Sequence, residues 1–164
     1  MDIRDGCPSL YGSLVGWDRK AKMGETRCNC LALRKAARKT TQLYDAALSE
    51  AGIRATQYHI LAHLGRHPDG DTIGEIANEL ALDRATLGHS LKPLEREGLI
   101  SFSVGDDRRS RVIALTRIGI VKLEEAKSLW LRVQRKFENE FGAGYSEQLR
   151  RDLEKVASDC PLPT

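Results

Sequence analysis

Residues 72–98 carry two helix starts and a helix stop so closely spaced that only a tight pair of helices satisfies all three. Thr72-Ile73-Gly74-Glu75 reads as a capping box, because the Thr hydroxyl can accept from the third helical amide while Glu75 reaches back to the cap amide. A short helix through Leu80 comes next. Ala81-Leu82-Asp83 leaves room only for a turn before Asp83 caps a second helix, which runs to about Glu97 and stops at Gly98. Two helices joined this tightly form a helix-turn-helix.

The next segment is β-prone. Residues 99–104 and 111–115 are short runs rich in Ile, Val, Phe and Leu on either side of the polar stretch Gly105-Asp106-Asp107-Arg108-Arg109-Ser110, which predicts a hairpin with a charged tip, or wing. Helical periodicity brackets this unit. Leu33, Ala36, Ala37, Thr40, Leu43, Tyr44, Ala47 and Leu48 recur at three- and four-residue spacing over a first helix from Leu31, ended by Gly52. Thr56 is expected to cap a second, with Ile60, Leu61 and Leu64 as its buried stripe and residues 67–70 as its stop. After the wing, Thr116 caps a long helix interrupted at Gly142 and Gly144, and residues 145–157 make a last amphipathic helix. The expected architecture is mainly α with a small β-hairpin. A winged helix-turn-helix occupies about 53–116, terminal dimerisation helices about 28–50 and 117–158, and residues 1–27 form a glycine-interrupted N-terminal arm.

A chain of 164 residues with 41% apolar content suits one folded domain. It contains no apolar run near the roughly 20 residues that span a bilayer, and no secretory h-region, so a cytoplasmic protein without a membrane partner is expected. No glycine-rich phosphate loop, H-E-x-x-H or G-x-S-x-G is present, so neither catalysis nor a cofactor is expected. A net charge of +3 does not announce a nucleic-acid partner, and residues 83–117 hold seven basic against five acidic side chains. The DNA argument therefore rests on placement.

The second helix of such a motif offers its N-terminal residues to base edges in the major groove. Here Arg84 can pair bidentately with guanine, and Thr86 can hydrogen-bond or touch a thymine methyl. His89 belongs to the same N-terminal set, and Lys92 and Arg96, farther along, suit phosphates. In the wing, Arg108, Arg109 and Arg111 surround a turn from which a guanidinium can enter the minor groove, oriented by Asp106 or Asp107. The competing reading is a winged domain that binds another protein, which has no need of three wing arginines.

Residues 76–80 (Ile-Ala-Asn-Glu-Leu), 94–100 (Leu-Glu-Arg-Glu-Gly-Leu-Ile), Asp106-Asp107-Arg108-Arg109 and 115–119 (Leu-Thr-Arg-Ile-Gly) together resemble the signature of MarR-type transcriptional regulators. The resemblance implies a homodimer with intertwined terminal helices, two winged domains spaced for double-stranded DNA carrying an inverted repeat, and repression relieved by a small-molecule effector or an oxidant. His89 stands where the family usually has Arg, and Gly88 and Pro93 are unusual in its recognition helix. Pro93 should bend that helix.

Candidate sensing residues lie outside the motif. Cys28 and Cys30 fall at the start of the first helix, where the helix N-terminus and Arg27 and Arg34 favour a thiolate. The resemblance makes them candidate redox sensors, with Cys160 as resolving thiol if the termini meet across a dimer. His59, His63 and His67 stand four residues apart as an expected half-exposed ridge. With no nearby carboxylate evident, no metal site is expected. Leu33, Tyr44, Tyr58, His59 and His63 are the expected lining of an effector pocket.

Overall fold

The computed structural model describes residues 28–104 and 111–159. The described residues fall into two units, divided after Arg38. In the first, residues 28–38 are all exposed, Leu31 and Leu33 among them. They open helix α1 (Asn29–Leu48), whose second half belongs to the second unit.

The second unit continues with a 3₁₀ turn at Ser49–Ala51 and then α2 (Ala55–Arg66), β1 (Asp71–Thr72), α3 (Ile73–Glu79) and α4 (Arg84–Arg96). The strands β2 (Ile100–Val104) and β3 (Arg111–Leu115) precede α5 (Arg117–Phe141) and α6 (Ala143–Asp159). The expected mainly helical fold with a small antiparallel β element is present. The sheet has three strands rather than two, in the order β1-β3-β2. Asp71 pairs with Ile113 and Thr72 with Val112, so the residues just before the helix-turn-helix are stitched to the wing. Gly70 makes that approach workable: its φ is +81°, and a Cβ there would fall 2.6 Å from the carbonyl oxygen of Ile113.

The core is where the stripes of these short helices converge. Ile60, Leu61 and Leu64 of α2 meet Ile76 of α3, Leu87, Leu91 and Leu94 of α4, and Ile113 of β3, all nearly free of solvent. Each such side chain contributes roughly 1.5–3 kcal/mol relative to an exposed one. Leu48, Ile53 and Ala126 extend the cluster to α1 and α5, and Tyr58 stacks on Trp130 with ring centroids 5.8 Å apart.

One expected cap is misplaced. Helix α2 begins at Ala55, one residue before Thr56, and no hydroxyl caps it. The Ala55 amide instead donates to the Asp45 carboxylate on α1 at 2.8 Å, and the Arg54 amide to Gln57 Oε1 at 2.8 Å. A carboxylate ten residues upstream takes the place of the expected local hydroxyl. Among the described residues no helix is long and apolar enough to cross a membrane.

Candidate nucleic-acid interface

The two helices of the motif are held by their own polar ends. Thr72 Oγ1 accepts from the Glu75 amide at 3.3 Å, and the Glu75 carboxylate accepts from the Thr72 amide at 2.8 Å, closing the capping box. The Thr72 amide and the Thr72 hydroxyl, which donates to the same carboxylate at 2.7 Å, hold the Glu75 carboxyl below its ordinary pKa. The turn passes through Ala81 with φ of +49°, the one non-glycine residue among those described that takes a left-handed backbone. Asp83 then caps α4, its carboxylate accepting from the Thr86 amide at 2.8 Å and the Thr86 hydroxyl at 2.6 Å. Those two bonds pull the Asp83 pKa down.

Helix α4 separates its residues cleanly. Leu87, Leu91 and Leu94 are buried, whereas Ala85, His89, Lys92 and Arg96, at intervals of four, three and four residues, lie exposed on the opposite side, and Arg84 and Thr86 are exposed in the first turn. The helix is continuous through Pro93. Proline supplies no amide to the turn before it, and the remaining ladder carries the helix across the gap. Thr86 is less free than the sequence implied: its hydroxyl proton is committed to Asp83, so it faces outward as a methyl and an acceptor. The Arg84 guanidinium rests over the start of α3, 3.9 Å from where a Cβ on Gly74 would stand.

The base of the wing is a paired ladder. β2 and β3 pair from Ile100–Leu115 to Val104–Arg111, and Arg111 is exposed at the end of that ladder. Thr116 closes the base, donating its hydroxyl proton to the Gly98 carbonyl at 2.6 Å and accepting the Gly119 amide at 3.0 Å as cap of α5. Asp106, Asp107, Arg108 and Arg109, the expected tip residues, lie outside the described residues, as does Cys160.

The sensing candidates are scattered. Cys28 and Cys30 are exposed free thiols, and Cys28 is the residue that opens α1: its Sγ accepts from the Leu31 amide at 3.4 Å and its carbonyl from the Ala32 amide at 3.0 Å. Tyr44 and Tyr58 sit in or against the core, and burial pushes both phenol pKa values up. The histidine ridge is not half-exposed along its length. His63 is 3% exposed, while His59 and His67 are open. His63 Nε2 meets Asp71 Oδ2 at 2.6 Å in a groove shared with Arg66, His67, Glu75, Asn78 and Glu79. Asp71 is the carboxylate beside these histidines that was not evident in the sequence. It stands four residues past His67 and is brought inward by the two-residue strand β1.

A capped helix pair with an exposed polar face, leading into a hairpin closed at its base, is a winged helix-turn-helix. Comparisons with known proteins give the same class and narrow it. The MarR family model matches residues 51–110. The organic hydroperoxide resistance transcriptional regulator of Bacillus subtilis (strain 168) is 34% identical over 130 residues, covering 79% of this chain and 82% of that one. The M. tuberculosis transcriptional regulator MosR, solved in complex with DNA, is 32% identical with a TM-score of 0.70, covering 82% of this chain and 99% of that one. MepR of S. aureus, also solved with DNA, is 27% identical with a TM-score of 0.70 over 82% of this chain and 99% of its own. The chain belongs to the MarR family and is a DNA-binding transcriptional regulator.

Proposed function

We propose that the chain acts as a homodimeric repressor on inverted-repeat DNA and that oxidation of Cys28 releases it. The observation that carries the release step is the pair of exposed thiols at the opening of α1, with Cys28 sulfur against a helix amide. The similarity to a regulator of organic hydroperoxide resistance supports an oxidant over a small ligand. The terminal oxygen of an organic hydroperoxide passes to the Cys28 thiolate: an S–O bond forms, the O–O bond breaks, and the alkoxide leaves as alcohol after taking a proton. Condensation of the sulfenic acid with a second thiol, Cys30 or Cys160, gives a disulfide and water.

DNA contact is assigned to Arg84, Thr86 and His89 at base edges and to Lys92 and Arg96 at phosphates, with Arg108, Arg109 and Arg111 of the wing at the minor groove. Asp106 and Asp107 orient the wing arginines. Support comes from the exposure of all five α4 residues and of Arg111, beside an apolar stripe of α4 that is buried.

The test is an anisotropy titration of a labelled inverted repeat, with half-sites about 10 base pairs apart, against reduced and cumene-hydroperoxide-treated protein. Reduced protein binds with a steep salt slope, oxidised protein loses at least tenfold in affinity, and dithiothreitol restores it. The Cys28→Ser, Cys30→Ser variant stays bound under peroxide. If that variant and the parent respond alike, these thiols are not the switch.

A further inference from the structure

We propose that His63, His67 and Asp71 form a binding site for a divalent transition-metal ion of the zinc class, with its fourth position open to solvent. One ligand atom from each residue lies within 4.8 Å of the other two. Asp71 Oδ2 is the common point, 2.6 Å from His63 Nε2 and 3.2 Å from His67 Nδ1. Two imidazoles and a carboxylate are a zinc-type donor set. Zinc bonds of about 2.0–2.1 Å at tetrahedral angles place donors about 3.3 Å apart. An ion therefore needs the His63–Asp71 contact to open by less than about 1 Å; the His67–Asp71 distance already fits, and His67 Nδ1 gives up the bond it now donates to the His63 carbonyl at 3.0 Å.

The surroundings favour a cation over an anion. Glu75 and Glu79 line the same groove with Asp71, opposed by one basic side chain, Arg66. Three carboxylates against one guanidinium repel phosphate and draw in a divalent ion. An ion at this point takes the place of the proton now shared between His63 Nε2 and Asp71 Oδ2. Access comes from His67, whose side chain is 44% exposed beside a nearly closed His63.

The placement gives the site a mechanical meaning. His63 and His67 are at the end of α2, and Asp71 opens the strand that leads directly into the Thr72 cap of α3. An ion shared among them fastens the core helix to the start of the helix-turn-helix.

The experiment is a Co²⁺ titration of the untagged, full-length chain carrying Cys7→Ser, Cys28→Ser, Cys30→Ser and Cys160→Ser, which removes thiolate ligands. About one equivalent of Co²⁺ is expected to develop the visible bands of a four-coordinate nitrogen–oxygen site, and Zn²⁺ is expected to bleach them. His67→Ala, at a solvent-exposed ring, and Asp71→Asn are each expected to weaken binding at least tenfold while circular dichroism shows the native helix content. Absence of both Co²⁺ bands and calorimetric Zn²⁺ binding overturns the proposal. Binding that both variants retain does so as well, because it places the ion elsewhere.

Discussion

Thr116 shows how much one hydroxyl can settle. It caps α5 through the Gly119 amide and ties the base of the wing through the Gly98 carbonyl, and both partners are set by its position between strand and helix. Gly119 completes the arrangement, because a Cβ there would overlap the Leu99 carbonyl. Thr116→Val keeps the shape and removes both bonds. It is expected to lower unfolding free energy in urea by about 1–3 kcal/mol, the cost of a lost cap plus an unpaired carbonyl. An unchanged midpoint would mean that water replaces both bonds. The caps at Thr72, Asp83 and Thr116 are legible in the sequence because each acts on an amide three residues ahead. Asp45 capping α2 and Asp71 meeting His63 are not, since their partners are set by how elements pack.

At the scale of the element, α4 combines a good amphipathic pattern with two residues that oppose helix. Gly88 lies midway along it, and a Cβ there meets nothing within 4 Å. Gly88→Ala is accordingly expected to stabilise the protein by about 1 kcal/mol in thermal or urea melts. If the backbone at this point approaches DNA closely, the same change weakens operator affinity, so opposite signs in the two measurements identify Gly88 as a clearance residue. Parallel gains make it a mere propensity defect. The fold class and the order of elements could be read from periodicity because the buried faces of α2 and α4 repeat at helical spacing. The strand β1 could not, being two residues long and paired with residues some forty positions away. The same gap hid the carboxylate beside His63, so the histidines read as a ridge when only their outer members are exposed.

At the scale of the molecule, the C-terminal helices leave apolar surface without a partner. Helix α6 buries only Ser146, while Tyr145, Leu153 and Val156, with Phe141 at the end of α5, remain 42–59% exposed. Such a stripe on a 17-residue helix calls for a second copy of the chain. Light scattering is expected to give a dimer mass, and the melting temperature is expected to rise with protein concentration. The double change Leu153→Glu, Val156→Glu is expected to shift the mass toward the monomer and lower the melting temperature by several degrees. A parent chain that remains monomeric at high concentration would leave this surface unexplained.

The bare flank of α6 also has a genetic consequence. If chains pair through this flank, a copy damaged only in α4 keeps the pairing surface and draws intact copies into assemblies with one silent arm. Such alleles should be dominant when expressed beside the wild type. Alleles damaged in α6 drop out of the pool before they can interfere, and should be recessive.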